Sequence, residues 1–209
     1  MGTIEAFKRL DILLFWLFNS NHSPQWDSFF GMFTNLGSGW VAVPILIIVS
    51  LFHMKRNKLM HVLAFIAISM TASGVFNSIV KSIVKRDRPL TYFAQQRFLA
   101  YKETGVEPPD TTGPKAMRPH VVGPQWKHRS FPSGHANTAF SAATVLYLLY
   151  GGWWGLAYIV AAVVAYSRVY VGVHFPIDTF GGGLLGIIIV GIAYHIYRIK
   201  VYKFVEFTK

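Results

Sequence analysis

The chain has 209 residues, of which 53% are hydrophobic and only 14% charged, against about 25% charged in soluble domains. Its 20 Lys and Arg outweigh 9 Asp and Glu, a net charge of +11; with so apolar a background this excludes an ordinary soluble domain and makes a phospholipid bilayer, not nucleic acid, the expected partner. The absence of cysteine excludes disulfides, thiolate catalysis and Cys-ligated metal.

In chain order, no charged, apolar and small-residue succession opens the sequence, so no removable signal peptide is expected. The first element, "FKRLDILLFWLFN" (7–19), has an apolar core of about nine residues, 10–18, interrupted by Asp11, short for a span that needs roughly 20. It reads as an interfacial amphipathic helix or a short membrane helix, and with an amphipathic linker it makes up residues 1–38. Residues 28–54, 59–80, 130–167 and 179–197 contain no Lys, Arg, Asp or Glu. The third run is interrupted by "YGGWWG" (150–155) and reads as two helices joined by a tight turn. These runs predict five spans and, with the first segment, an all-α polytopic membrane bundle of five to six hydrophobic helices. The expected catalytic bundle is 39–199, followed by a basic tail, 200–209. Between the second and third runs, residues 90–130 carry five prolines and little periodicity, which predicts a loop or cap.

Counting crossings places residues 53–58, the "GGWWG" turn and the tail on one side of the membrane, and segments 81–129 and 168–178 on the other. Lys55, Arg56 and Lys58 make the first side basic, which the positive-inside rule assigns to the cytoplasm. The opposite segment, 81–129, nevertheless carries ten Lys and Arg against four Asp and Glu. That excess fits if the bases bind an anion, because a ligand then dictates their placement.

Three stretches on that side carry chemistry. In "KSIVKRDRP" (81–89), Lys81 and Arg88 are two helical turns apart and share a face if the helix continues to Arg88, where Pro89 is expected to stop it. Lys85 and Arg86 fit a plainer role, snorkelling to lipid headgroups. In "FPSGHANTAF" (131–140), Ser133 is a candidate N-cap and Gly134 lets a ligand approach the backbone. The helix start suits a phosphate, and His135 lies in its first turn. In "SRVYVGVHFPID" (167–178), His174 and Asp178 are spaced so that the carboxylate holds one imidazole nitrogen while the other faces the reaction, directly or through a turn at Pro176. Arg168 offers a planar fork to phosphate oxygens. No metal-ligand motif is present, so Lys and Arg would supply the charge neutralisation and no cofactor or metal is expected.

These three stretches resemble the signature K-x6-R-P, P-S-G-H and S-R-x5-H-x3-D of the type 2 phosphatidic acid phosphatase family, which shares its core with vanadium haloperoxidases and glucose-6-phosphatase. The resemblance covers roughly residues 25–199 and no motif position departs from it. It implies that His174 is a nucleophile forming a phosphohistidine, that Asp178 orients it, and that His135 protonates the leaving oxygen. Lys81, Arg88, Ser133, Gly134 and Arg168 would hold the phosphate, without metal. The implied activity is hydrolysis of a lipid phosphomonoester or pyrophosphate in a bacterial inner membrane, with the site facing the periplasm or exterior. Candidate substrates are undecaprenyl pyrophosphate and lipid A phosphate, then phosphatidylglycerol phosphate and phosphatidic acid. The basic residues of 90–130, Arg97, Lys102, Lys115, Arg118, Lys127 and Arg129, either read an anionic headgroup or adsorb to anionic lipid. A non-catalytic lipid-binding protein and an anion or lipid transporter are the alternatives; the latter should show mid-membrane polar groups and an internal repeat, whereas the ionisable residues here gather at one face and no repeat is seen.

Overall fold

A computed structural model describes residues 2–109, 111–125 and 127–201. Among them every regular element is helical: α1 (Thr3–Asn19), α2 (Pro24–Phe33), α3 (Gly39–His53), α4 (Arg56–Val84), α5 (Pro89–Thr104), α6 (Gly134–Tyr150), α7 (Ala157–Tyr170) and α8 (Pro176–Val201), with short 3-10 turns at Thr34–Gly37 and Gly152–Leu156. Local chemistry sets many of the boundaries. Pro24, Pro89 and Pro176 each open a helix at its first position, where the missing N–H costs nothing. Ser23 and Ser133 cap α2 and α6 with their hydroxyls, and Gly105, with φ 68°, ends α5.

Three helical stretches are long and apolar enough to cross a membrane, Arg56–Thr104, Gly152–Tyr170 and Pro176–Ile199; a fourth is added if Pro24–Gly37 and Gly39–His53, bent by 64°, form one broken span. The expected break in the 130–167 run is found at Gly151–Leu156, and α6, only 17 residues long, lies at the bundle centre between α4, α7 and α8. Five to six spans is therefore more than length and composition support among the described residues. The expectation of a loop over 90–130 is corrected in its first part, where residues 89–104 form α5, while the described residues of 105–130 form no helix. The prolines of that segment all lie beyond Gly105, so nothing opposes a helix before it. The basic tail lies outside the described residues apart from the backbone of its first two.

Inside lipid, helices gain little from hydrophobicity alone and associate through close packing and interhelical hydrogen bonds. Accordingly α8 meets α6 along glycines: a Cβ on Gly186 would stand 2.6 Å from the Asn137 carbonyl, and one on Gly182 would collide with that of Ser133. Ser73 of α4 bonds to Asn137 at 3.1 Å and to Ser141 at 2.8 Å, pinning α4 to α6. Leu46, Val62, Phe65, Ile66, Val145 and Val190 fill the bundle's other end. There His53 meets Tyr150 and Trp154, so the 53–58 turn and the "GGWWG" turn share one end, as crossing parity requires.

At the opposite end α1 runs across the turn between α7 and α8. Its buried Asp11 accepts from the Ile177 N–H (2.9 Å), and two turns on Asn19 donates to the Tyr170 carbonyl (2.8 Å). Phe15, between them, packs on Phe93 and Phe175. The outer face of α1 exposes Ile4, Phe7, Leu10, Leu13 and Leu17.

Candidate active site

Four segments converge at this end. The last turn of α4 carries Lys81. The chain then leaves the helix at Lys85, which adopts a left-handed conformation (φ 49°), and runs extended through Arg88 into α5. The expected continuous helix from Lys81 to Arg88 is thus absent, because Lys85 caps it one turn early. Arg88 still reaches the site from the extended segment: it is 8% exposed, and its guanidinium donates to the carbonyls of His128 (3.1 Å) and Val173 (3.2 Å). Lys81 lies within electrostatic reach of Arg88, Arg168 and Arg129.

The "PSGH" segment makes the start of α6. The Ser133 hydroxyl accepts from the Ala136 N–H (3.5 Å) as the predicted cap, while its own N–H donates to the Asp178 carbonyl (2.8 Å). Gly134 and His135 hold the first two helical positions, whose N–H groups have no intrahelical acceptor. A side chain on Gly134 would lie 3.7 Å from the Asn77 amide and 3.9 Å from Lys81 Nζ, so these groups of α4 face the helix start.

Arg168, at the end of α7, donates to the Thr34 hydroxyl (2.9 Å), and its buried Nε has no hydrogen-bond partner. It shares with His135, Thr34, Asn35 and Val173 a cavity of about 320 Å³ that residues 122–124 also line. His174, in the turn before α8, is 2% exposed, and Arg88, Arg168 and Asp178 all act on it electrostatically. Burial, reinforced by Arg88 and Arg168 and opposed by Asp178, lowers its pKa to about 3. All eight residues singled out by sequence therefore gather at one end of the bundle.

The contact between His174 and Asp178 differs from the expected one. Nδ1 stands 3.7 Å from Asp178 Oδ2, beyond hydrogen-bond range, and Ser130 fills the gap. The Ser130 hydroxyl donates to Asp178 Oδ2 and lies 3.3 Å from His174 Nδ1. Because that hydroxyl spends its proton on the carboxylate, it can only accept from Nδ1–H; this tautomer leaves the Nε2 lone pair facing away from Asp178. Asp178 is fully buried and accepts further from the Phe175 N–H (2.9 Å), closing the first turn of α8, and from Arg86 Nη1 (2.7 Å).

The sequence model of the PAP2 superfamily matches residues 62–202. The chain belongs to the PAP2 superfamily. It is 32% identical over 190 residues to the lipid A 4'-phosphatase of Bacteroides thetaiotaomicron, covering 88% of this chain and 75% of that one. It is 28% identical over 177 residues to the undecaprenyl-diphosphatase of Sulfolobus acidocaldarius, covering 84% and 73%. Among solved structures it is similar to Aquifex aeolicus LpxE, with a TM-score of 0.64, 30% identity and coverage of 89% and 95%. The all-helical architecture and the membrane-spanning lengths agree with this PAP2 membership.

Around the PAP2 motifs stand residues that sequence reasoning passed over. Ser130 lies three residues ahead of Ser133 on the same segment, which is the one signal that pointed to it. Thr34 and Asn35 reach the cavity from the N-terminal third, with nothing in their local pattern to mark them. The plain role expected of Arg86 is corrected, since it turns inward to two carboxylates; Lys85 is exposed as expected. Arg97 is consumed by the loop it was expected to arm, donating to the carbonyls of Pro108 (3.3 Å), Pro109 (3.0 Å) and Ala116. His22, Asp27 and His120 cluster at the edge of this end. The two imidazoles are stacked with ring planes 3° apart, so their lone pairs do not converge on a common ion; His120 Nε2 bonds instead to Asp27 (3.0 Å).

Proposed function

We infer that this chain is an integral membrane phosphatase that hydrolyses a phosphomonoester or pyrophosphate bond of a lipid through a phosphohistidine on His174. The observation that carries the reading is the buried Arg168, whose unpartnered Nε borders the His135 cavity. An arginine held dry beside other cations is costly unless an anion completes it. Among the described residues the carboxylate beside these cations, Asp178, already receives Arg86.

In this mechanism Lys81, Arg88, Arg168 and the N–H groups at the α6 start hold the three non-bridging phosphate oxygens. The His174 Nε2 lone pair forms a bond to phosphorus as the bond to the leaving oxygen breaks, and His135 gives that oxygen a proton. Nδ1–H, held through Ser130 by Asp178, carries the positive charge that His174 acquires. Neutral His135 then takes a proton from water, the resulting hydroxide attacks phosphorus, and the P–N bond breaks to free phosphate and restore His174. No metal is required in either step.

A second cavity, of about 360 Å³, supports a lipid substrate. It is lined by hydrophobic residues, Leu36, Ala139, Ala143, Ala161 and Val164 among them. Ala139 lies one turn beyond His135 and Val164 one turn before Arg168, so a hydrocarbon chain there would sit directly beneath the phosphate. The names of two relatives, undecaprenyl-diphosphatase and lipid A 4'-phosphatase, favour a polyprenyl pyrophosphate or a lipid A phosphate. We further propose that α1 lies in the membrane interface as part of an N-terminal segment, 1–38, apposed to the catalytic bundle, 39–199. Its exposed apolar stripe and its course across the α7–α8 turn support this. The basic 53–58 turn at the opposite end supports a site facing the periplasm or exterior of a bacterial inner membrane. Phosphate release from lipid substrates in EDTA tests the reading: purified protein should turn over while His174→Ala does not. Equal release by the two would refute it.

A further inference from the structure

Arg86 sits where two chain segments far apart in sequence meet the carboxylate that steers His174. Its Nη1 donates to Asp178 Oδ1 at 2.7 Å and its Nη2 to Asp11 Oδ2 at 2.6 Å. Asp11 is itself fixed, because its other oxygen accepts the Ile177 N–H at 2.9 Å, one residue before Asp178. The guanidinium also lies over the Phe175 ring, 4.3 Å from its centre. The chain thus holds Arg86 by charge on two sides and by an aromatic face on a third. The two oxygens of Asp178 are divided by this arrangement: Oδ1 faces Arg86, while Oδ2 faces Ser130 and the Phe175 N–H.

We propose that Arg86, anchored by Asp11 of the N-terminal helix, is a positioning residue for the hydrolysis, locking the rotation of Asp178 so that Oδ2 stays turned to the Ser130–His174 relay. This rests on the reading of His174 as nucleophile. Arg86 is not among the residues lining the cavity that holds Arg168 and His135, and both its terminal nitrogens are taken by carboxylates, so it acts through Asp178 and not on the phosphate. The geometry also gives α1 a part in the chemistry: Asp11, in a helix otherwise resembling a membrane anchor, holds the arginine that holds the carboxylate. A neutral residue at position 86 would leave Asp178 without its ion-pair partner beside His174, where the remaining charges are Arg88 and Arg168. A lone carboxylate stabilises the imidazolium, so titration of His174 would move to higher pH.

The test compares Arg86→Gln, Arg86→Lys and Asp11→Asn with wild type and His174→Ala, in full-length protein in mixed micelles with one lipid phosphate. Arg86→Gln should lower kcat on the order of 10- to 100-fold, by analogy with the loss when an outer partner that orients a metal-bound histidine is removed, with KM little changed. Its His174 imidazole, followed by nitrogen NMR, should begin to titrate at higher pH than in wild type. Arg86→Lys should recover part of kcat and return the titration toward wild type. Asp11→Asn, which leaves the Arg86–Asp178 pair intact, should lower kcat less and produce no upward shift. If Arg86→Gln does not fold, the Lys and Asn variants carry the same test through kcat and the titration. Wild-type kcat in folded Arg86→Gln, or a loss that Lys does not relieve and that leaves the titration unmoved, overturns the proposal. Turnover by His174→Ala would instead refute the nucleophile assignment, so the two failures are separable.

Discussion

Removing the Ser130 hydroxyl is the sharpest test of how the site is wired, because Ser130 alone spans the 3.7 Å between His174 Nδ1 and Asp178 Oδ2. In Ser130→Ala the buried carboxylate keeps the Arg86 and Phe175 donors but loses one, and Nδ1–H loses its acceptor. A hydrogen bond to a charged group contributes about 1.5–3 kcal/mol. This one strengthens as His174 becomes cationic on attacking phosphorus, so most of its worth is lost from the transition state. At 1.36 kcal/mol per decade, that loss corresponds to a fall in kcat of roughly 10- to 150-fold. Initial rates of phosphate release in detergent micelles, with substrate varied through KM, measure it. KM should change little, since Ser130 is wholly buried and does not line the phosphate cavity. Ser130→Thr, which keeps the hydroxyl, should recover much of the rate. A Ser130→Ala enzyme within twofold of wild-type kcat would refute the relay and imply that Asp178 acts on His174 unaided.

Further outcomes follow from the same geometry. Burial and the neighbouring arginines depress His174 to about 3, so its neutral form persists as pH falls through the ordinary histidine value near 6.5; an NMR titration of the free enzyme should show no His174 transition between pH 5 and 8, and a midpoint in that window would contradict the account. Measured with bound substrate, kcat should fall at alkaline pH as His135 loses the proton it must donate, with no acid limb between pH 5 and 8 because His174 stays neutral there; an acid limb in that window would contradict the account. Ala143→Phe should fill the apolar cavity beneath the site and lower kcat/KM for a long-chain lipid phosphate about tenfold or more, while a water-soluble aryl phosphate is cleaved as before; equal losses on both would deny that cavity to the lipid chain. Gly182→Ala, whose methyl group would collide with the Ser133 carbonyl, should displace the "PSGH" turn and abolish most activity, and near-normal rates would show that α8 has slack there.

The polar face of the site was legible in the sequence because its residues lie in three short stretches with fixed spacings, and uncharged runs ordered those stretches onto one side. What remained hidden was how the stretches touch. Ser130 meets partners 44 and 48 residues away, Arg86 meets Asp11 across 75 and Asp178 across 92, and Thr34 meets Arg168 across 134. No local periodicity encodes such pairings, so Arg86 read as a headgroup anchor and Thr34 as linker. The α5 error had a local cause. Prolines beyond Gly105 coloured the whole 90–130 segment, although Pro89 and Gly105 frame a helix of their own. The spacing of His174 and Asp178 likewise suggested direct contact, which the Pro176 turn and the intervening Ser130 hydroxyl replace.

The central claim is that phosphate is carried on His174 during turnover. Rapid acid-free denaturation of enzyme mixed with lipid substrate labelled in its terminal phosphate tests it most directly, because phosphohistidine survives alkali and is lost in acid. The account predicts alkali-stable, acid-labile label on the peptide containing His174, absent from His174→Ala. Full turnover by wild-type enzyme with no label on any histidine, or label that persists in folded His174→Ala, would contradict it.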